Sequence, residues 1–141
     1  MENSVVKESI VCSGALFYAK ATRRFLLLQK AHGKHEGTWG LVGGTNIAGE
    51  TPWQGLLREI TEEIGTVPTI IKTIPLETFV SNDTRFLFHT YLCVVKNEFM
   101  PTLNFEHNGY AWTEFKSWPR PLHHGLRNTL QNKSNLNKPN H

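Results

Sequence analysis

The spacing of apolar and polar residues divides the chain into elements. Ile10 to Tyr18 (IVCSGALFY) and Phe25 to Gln29 (FLLLQ) are dense in apolar and β-branched residues and predict two strands. The polar AKATRR between them suits a hairpin connection. A loop containing glycine and histidine follows at 31–37, and Thr38 to Val42 predicts a short strand ending at Gly43-Gly44. The period then changes. Apolar residues at 53, 56, 57, 60 and 64 trace one face of a helix. Thr51-Pro52 has the form of an N-cap followed by proline in the first turn, and Gly65 closes the segment as a C-terminal glycine.

Beyond the helix, Thr69 to Ile74 and Glu77 to Val80 predict strands separated by Pro75. Arg85 to Val95 predicts a long strand, Gly109 to Thr113 a short one, and Leu122 to Gln131 a C-terminal helix. Strands on both sides of one central helix predict an α/β or α+β domain with a mixed sheet between helices. Residues 1–131 read as one domain and 132–141 as a polar, Asn-rich, frayed tail.

Composition narrows the class. The chain is 39% hydrophobic and 19% charged, with 4 Trp and 8 Phe, which excludes intrinsic disorder. No apolar run reaches the ~20 residues of a membrane span, and the first residues lack the pattern of a secretory signal. Cys12 and Cys93 form neither a disulfide framework nor a zinc pattern, so the expectation is a globular protein of a reducing compartment, the cytoplasm.

The formal net charge of +3 and pI of about 9.0 come from scattered bases. The acids are concentrated: Glu50, Glu59, Glu62 and Glu63 lie close together with Arg58 as the only base among them. Glu59, Glu62 and Glu63 stand at i, i+3 and i+4, so they share one side of the predicted helix, expected to lie well away from the Trp53/Leu56/Leu57/Ile60/Ile64 stripe. Like charges at that spacing cost roughly 0.2–0.5 kcal/mol per pair, and no lysine in the helix relieves them. Clustered carboxylates accompanied by no cysteine and no well-spaced histidine pair suit Mg²⁺ or Mn²⁺ better than zinc.

The stretch Gly44-x5-Glu50-x7-Arg58-Glu59-Ile60-Thr61-Glu62-Glu63-Ile64-Gly65-Thr66 resembles the Nudix box, GX5EX7REUXEEXGU. Every fixed position is present, and Thr66 departs from one of the two aliphatic positions. The preceding KAHGKHEGTWGLVGG is similar to the usual Nudix N-terminal half, with Val42 where a proline is frequent, and FEHNGYAW with WPRPLHHGL is similar in a weaker way. The resemblance implies an α/β/α sandwich that hydrolyses a nucleoside diphosphate linked to another group. It implies Glu59, Glu62, Glu63 and the distal Glu106 as ligands of Mg²⁺ (or Mn²⁺ in its place), with the Gly43 carbonyl as a further ligand. Arg58 would orient Glu59 and Glu50, and Gly44, Glu50 and Gly65 would shape the box. The general base is Glu59, with Glu106, on a loop before the last strand, as the competing candidate.

Other residues carry weaker signals. Lys30 is a candidate phosphate contact. Trp39 could stack on a base, although a tryptophan in a short strand more commonly packs in a core. His123-His124 read as loop or helix-start residues, and of Tyr110 and Trp112 at least one should be buried. The positions where Nudix subfamilies carry a proline for ADP-ribose or a tyrosine for dinucleoside polyphosphates fall at Ser81 to Thr84, which hold neither. That absence counts against both readings without removing them; nucleoside triphosphates and nucleotide sugars stay open as substrates, and dinucleotides are retained. Pyrophosphate removal from an RNA 5′ end, a non-catalytic nucleotide-binding module and a homodimer are the alternatives.

Overall fold

The computed structural model describes residues 9–131; the expected tail at 132–141 lies outside the described residues. The element order is β1 (Ile10–Ala19), β2 (Arg24–Lys30), β3 (Trp39–Gly40), β4 (Val42–Thr45), α1 (Pro52–Ile64), β5 (Lys72–Val80), β6 (Phe86–Val95), β7 (His107–Glu114) and α2 (His124–Gln131). The seven strands form one mixed sheet. β1 and β6 pair in parallel along their full length, and the remaining pairings are antiparallel.

Alternation along the central strands supplies both faces of the sheet. Ala15, Phe17, Leu26, Leu28, Cys93 and Val95 point to one side and bury Leu56, Ile60 and Ile64 of α1. Leu16, Tyr18, Leu27, Leu92 and Val94 point to the other and bury Leu126 and Leu130 of α2. The sheet thus lies between two helices, as expected of an α/β/α sandwich. Two polar ties add to the packing: Ser13 Oγ donates to the Pro52 carbonyl at 3.1 Å, and Thr129 Oγ1 donates to Glu77 Oε1 at 2.7 Å.

The central helix starts and stops where its sequence dictates. Thr51 Oγ1 accepts from the Gln54 amide at 3.1 Å while Gln54 Oε1 accepts from the Thr51 amide at 2.9 Å, a reciprocal capping box. Gly65, at φ 91°, closes the last turn by donating its amide to the Thr61 carbonyl at 3.0 Å.

Several boundaries differ from the sequence reading. The single strand expected over Thr38 to Val42 is two, β3 and β4, because Leu41 ends the pairing with β2 and Val42 begins a ladder with β1 that carries through Gly43-Gly44 to Thr45. Pro75 does not divide β5. The strand pairs with β6 alone, and a register shift between Pro75 and Glu77 accommodates the residue that lacks an amide donor. The strand expected from Thr69 starts only at Lys72. Helix α2 begins at His124 rather than Leu122, since Leu122 bridges to Trp39 and packs under the sheet.

Candidate active site

One edge of β1 changes partner along its length. Phe17 to Ala19 pair with β2, whereas Cys12 to Ala15 pair with β4. Where the two partners diverge, the sheet forks and a cleft of about 1360 Å³ opens. Its lining includes Glu59 and Glu63 of α1, Gly43 and Gly44 of β4, and Glu106 beside β7. Lys30, Lys34 and several histidines supply a basic portion, and Leu41, Phe79, Phe86 and Phe88 an apolar one.

The glycine pair sets how closely helix and strand approach. A Cβ on Gly43 would collide with the Ser13 carbonyl oxygen and sit 2.7 Å from the Gly14 Cα. A Cβ on Gly44 would occupy the space now filled by the Glu59 carboxylate. Only a strand without side chains at these positions lets α1 deliver its carboxylates directly onto backbone. Gly43 also donates its amide to Glu63 Oε1 at 3.0 Å.

The three box glutamates are not equivalent, which corrects the expectation that all lie clear of the apolar stripe. At ~100° per residue, Glu63 falls on nearly the same helix direction as Leu56; it is 3% exposed. Burial pushes its carboxyl up to about 9; the Gly43 amide opposes the shift, while Glu59 and a hydrogen bond with Glu106 add to it. Glu59 is raised by partial burial, opposed by Arg58 and reinforced by Glu62 and Glu106. The Glu62 carboxylate, 53% exposed, sits on the rim.

Arg58 organises the outer side of this cluster. Its Nε and Nη2 donate to the two Glu50 oxygens at 2.8 and 3.2 Å, Nη1 donates to Glu62 at 3.0 Å, and Nη2 also reaches the Thr45 carbonyl at 3.0 Å. Glu59 is a more distant partner, at 3.5 Å. Arg58 holds Glu50 below the usual carboxylate range, helped by the Ile47 amide. The orienting role expected of Arg58 thus falls chiefly on Glu50 and Glu62.

Glu106 meets the cluster, but not on a free loop. Its amide donates to Asn104 Oδ1 at 3.0 Å, and its carbonyl accepts from the Ala31 amide at 2.9 Å. These bonds pin its backbone from both sides one residue before β7. Glu59, Glu63 and Glu106 therefore converge from two fixed elements on one volume.

That donor set suits a hard divalent cation. The ligands are all oxygen, and burial, reinforced by the neighbouring carboxylates, disfavours the ionised forms of Glu63 and Glu59. A cation at this position would favour their ionised forms. The residues placed to hold it are Glu59, Glu63 and Glu106, with Glu62 adjoining them on the rim.

Lys30 lies on the cleft lining, as its candidate role requires. Trp39 does not. Its indole packs in the layer beneath α2, its backbone pairs with Gln29, and Gly109 lies under its ring edge, which places Trp39 in the packing rather than on the cleft wall where a stacking residue was expected. Trp112 packs on the core and donates Nε1 to the Phe99 carbonyl at 3.1 Å, while Tyr110 is exposed.

Sequence reasoning missed two groups. Asn46, inside the variable part of the box, donates Nδ2 to the Glu50 and Thr51 carbonyls at 3.3 and 3.0 Å and so shapes the turn into α1. The Phe79/Phe86/Phe88 wall was invisible because alternating aromatics on an edge pair read as ordinary strand residues; the direct pairing of Phe79 with Phe88 is what assembles them.

Comparison with known proteins agrees with this geometry. The NUDIX domain family matches residues 10–132. Dihydroneopterin triphosphate diphosphatase of Haemophilus influenzae is 32% identical over 116 residues, covering 72% of each chain. Among solved structures, a MutT NUDIX hydrolase from Burkholderia pseudomallei superposes with a TM-score of 0.73 at 24% identity, covering 89% of this chain and 98% of that one. A C. elegans Ap4A hydrolase in a binary complex gives 0.69 at 25% identity, covering 87% and 95%. A box helix whose carboxylates meet a double glycine at a forked sheet, in a chain matched from its first strand to its last helix, belongs to the Nudix family of pyrophosphohydrolases.

Proposed function

We propose that this Nudix hydrolase cleaves a phosphoanhydride bond in a triphosphate carried by a heterocyclic ring, the class that includes nucleoside triphosphates and dihydroneopterin triphosphate, and that it requires Mg²⁺ or Mn²⁺. The observation that carries the substrate class is the joint lining of one cleft. The Glu59/Glu63/Glu106 cluster and Lys30 offer charge for a polyphosphate and its cation, while Leu41, Phe79, Phe86 and Phe88 offer an apolar, largely aromatic wall for a ring. The likeness to a dihydroneopterin triphosphate diphosphatase supports the same class.

The cation, held by Glu59, Glu63 and Glu106 with Glu62 and the Gly43 carbonyl as further candidates, would neutralise phosphate oxygens and acidify water. The chain's own residues do the rest. Glu59 takes the proton as the water oxygen bonds to phosphorus, and the bridging P–O bond breaks to release the leaving phosphate group. Gly43 holds Glu63 by its amide, Arg58 fixes Glu50 and Glu62, and Lys30 steadies the phosphate chain. Glu59 is favoured as base because the packed helix fixes its position, while Glu63 is the more deeply buried carboxyl. The free thiols Cys12 and Cys93 suit the cytoplasm as the site of action.

The test is a product assay over dihydroneopterin triphosphate, nucleoside triphosphates, ADP-ribose and nucleotide sugars with Mg²⁺ or Mn²⁺. Triphosphates should be the best substrates, chelator should abolish turnover, and Glu59→Gln should lower it by about 10²–10⁴ with the fold intact. Turnover confined to ADP-ribose or nucleotide sugars would overturn the substrate class. Turnover insensitive to chelator would overturn the cation requirement.

A further inference from the structure

The geometry points to a second metal site on the same cleft: His35, His123 and His124 form a nitrogen-ligand site for a borderline transition-metal cation of the Zn²⁺ class, separate from the carboxylate cluster. One ring nitrogen from each lies within 4.8 Å of the other two. The ring centroids are 4.7 Å apart for His35–His123, 5.5 Å for His35–His124 and 4.6 Å for His123–His124. Around a tetrahedral zinc with Zn–N of about 2.0–2.1 Å, ligand nitrogens stand roughly 3.4 Å apart. The observed spread closes to that value by side-chain rotation, since His124 is exposed and the other two are half-buried.

Backbone bonds hold the two contributing segments together. The His123 amide donates to the Trp39 carbonyl at 2.9 Å, and the Trp39 amide donates to the Pro121 carbonyl at 2.9 Å. Thr38 donates both its amide and its hydroxyl to the His35 carbonyl, at 3.1 and 2.7 Å. His35 itself sits at φ 70°, a left-handed conformation that histidine, asparagine and aspartate adopt more readily than other side chains. The segment carrying His35 is therefore fixed beside the start of α2.

The chemistry of three crowded imidazoles favours a cation over an anion. Near neutral pH an ordinary imidazole is largely unprotonated, and three protonated rings at this spacing would repel one another. Neutral rings present lone pairs. That of His123 Nδ1 now accepts from the exposed Gly125 amide at 3.2 Å, a bond that water can replace when the lone pair turns to a metal. Imidazole nitrogen selects Zn²⁺, Ni²⁺, Co²⁺ or Cu²⁺ over Mg²⁺, which prefers oxygen. Three protein ligands leave a coordination position open, and all three histidines line the cleft that holds Glu59.

The experiment is a calorimetric Zn²⁺ titration of the tag-free full chain in excess Mg²⁺, which occupies oxygen sites, with Co²⁺ absorption as a report on nitrogen ligation. One Zn²⁺ should bind. His124→Ala and His35→Asn should each weaken it by about tenfold or more, and Glu59→Gln should leave it unchanged. The exposed His124 and the tolerance of asparagine for the His35 backbone keep both variants folded, which thermal melting verifies. Three results would overturn the site: no Zn²⁺ binding, binding lost in Glu59→Gln but kept in the histidine variants, or histidine-dependent binding of inorganic phosphate in place of Zn²⁺. None of these readouts depends on turnover, so the test stands apart from that of the substrate class.

Discussion

Replacing Glu63 by glutamine should make the metal-free protein more stable at alkaline pH. The folded-state pKa is pushed up to about 9, above the ordinary carboxylate value, so between the two the folded protein keeps a proton that the unfolded chain has lost. Stability is then fully present below the unfolded pKa and falls as pH rises towards the folded one. The limiting slope is about 1.4 kcal/mol per pH unit for one group. From pH 5.5 to 8 the loss attributable to Glu63 has an upper limit of about 3 kcal/mol, reduced by whatever water reaches the cleft. Glutamine retains the oxygen that accepts from Gly43 and carries no charge to bury. His123, lowered chiefly by burial and further by His124, His35 and Lys30, acts in the opposite sense at acid pH. It is common to both proteins and cancels in the difference. The assay is urea denaturation of wild type and Glu63→Gln in chelator across that range. A difference in stability that stays flat, or that grows in favour of wild type as pH rises, would refute the reasoning.

Gly44→Ala should keep the fold but lower turnover by about 10²-fold, because its Cβ takes the space of the Glu59 carboxylate and a misplacement of ~1 Å at a reacting group costs that order; steady-state kinetics with a melting curve checks it, and an unchanged rate refutes the close approach. Thiol labelling of the native protein at pH 8 should modify Cys12 alone, since Cys93 is fully buried and its thiol is pushed up to about 12 by that burial; rapid labelling of both cysteines without unfolding would contradict the packing.

The parts legible in the sequence are those whose cause is local. The capping box, the 3.6-residue stripe and Gly65 all lie within α1, so its bounds are readable from neighbours in the chain. The separation of β3 from β4 was not, because Thr38 to Val42 is continuous in composition and only the change of partner from β2 to β1 divides it. Pro75 was read as a break because proline cannot donate to a ladder, yet a register shift on a strand paired on one side absorbs it. Glu59, Glu62 and Glu63 were found from spacing, but their differing burial was not; it follows from Glu63 sharing the helix direction of Leu56 and from the close approach of β4 through its glycines. His35 lies far along the chain from His123 and His124, and bonds to the Trp39 backbone help bring the segments together.

The burial gradient along the box helix links packing to chemistry. One turn of α1 carries Glu62 at 53% side-chain exposure, Glu59 at 13%, and Glu63 at 3% as a whole residue. The outermost carboxylate is neutralised by Arg58 across an i,i+4 pair, a contact of small energetic worth at a solvated surface. Among the described residues the innermost takes its hydrogen bonds from the Gly43 amide and the neighbouring Glu106, not from a cationic side chain. Arg58 is thereby kept on the outside of the cluster, where its bidentate grip on Glu50 closes the turn into the helix. It already stands 3.5 Å from Glu59, and a further move inward would set its charge against Glu63, where a divalent cation would bind. The Thr45 carbonyl and Glu50 hold it away from that position, so the same residues that end β4 and lead into α1 also keep the inner carboxyls clear for a cation.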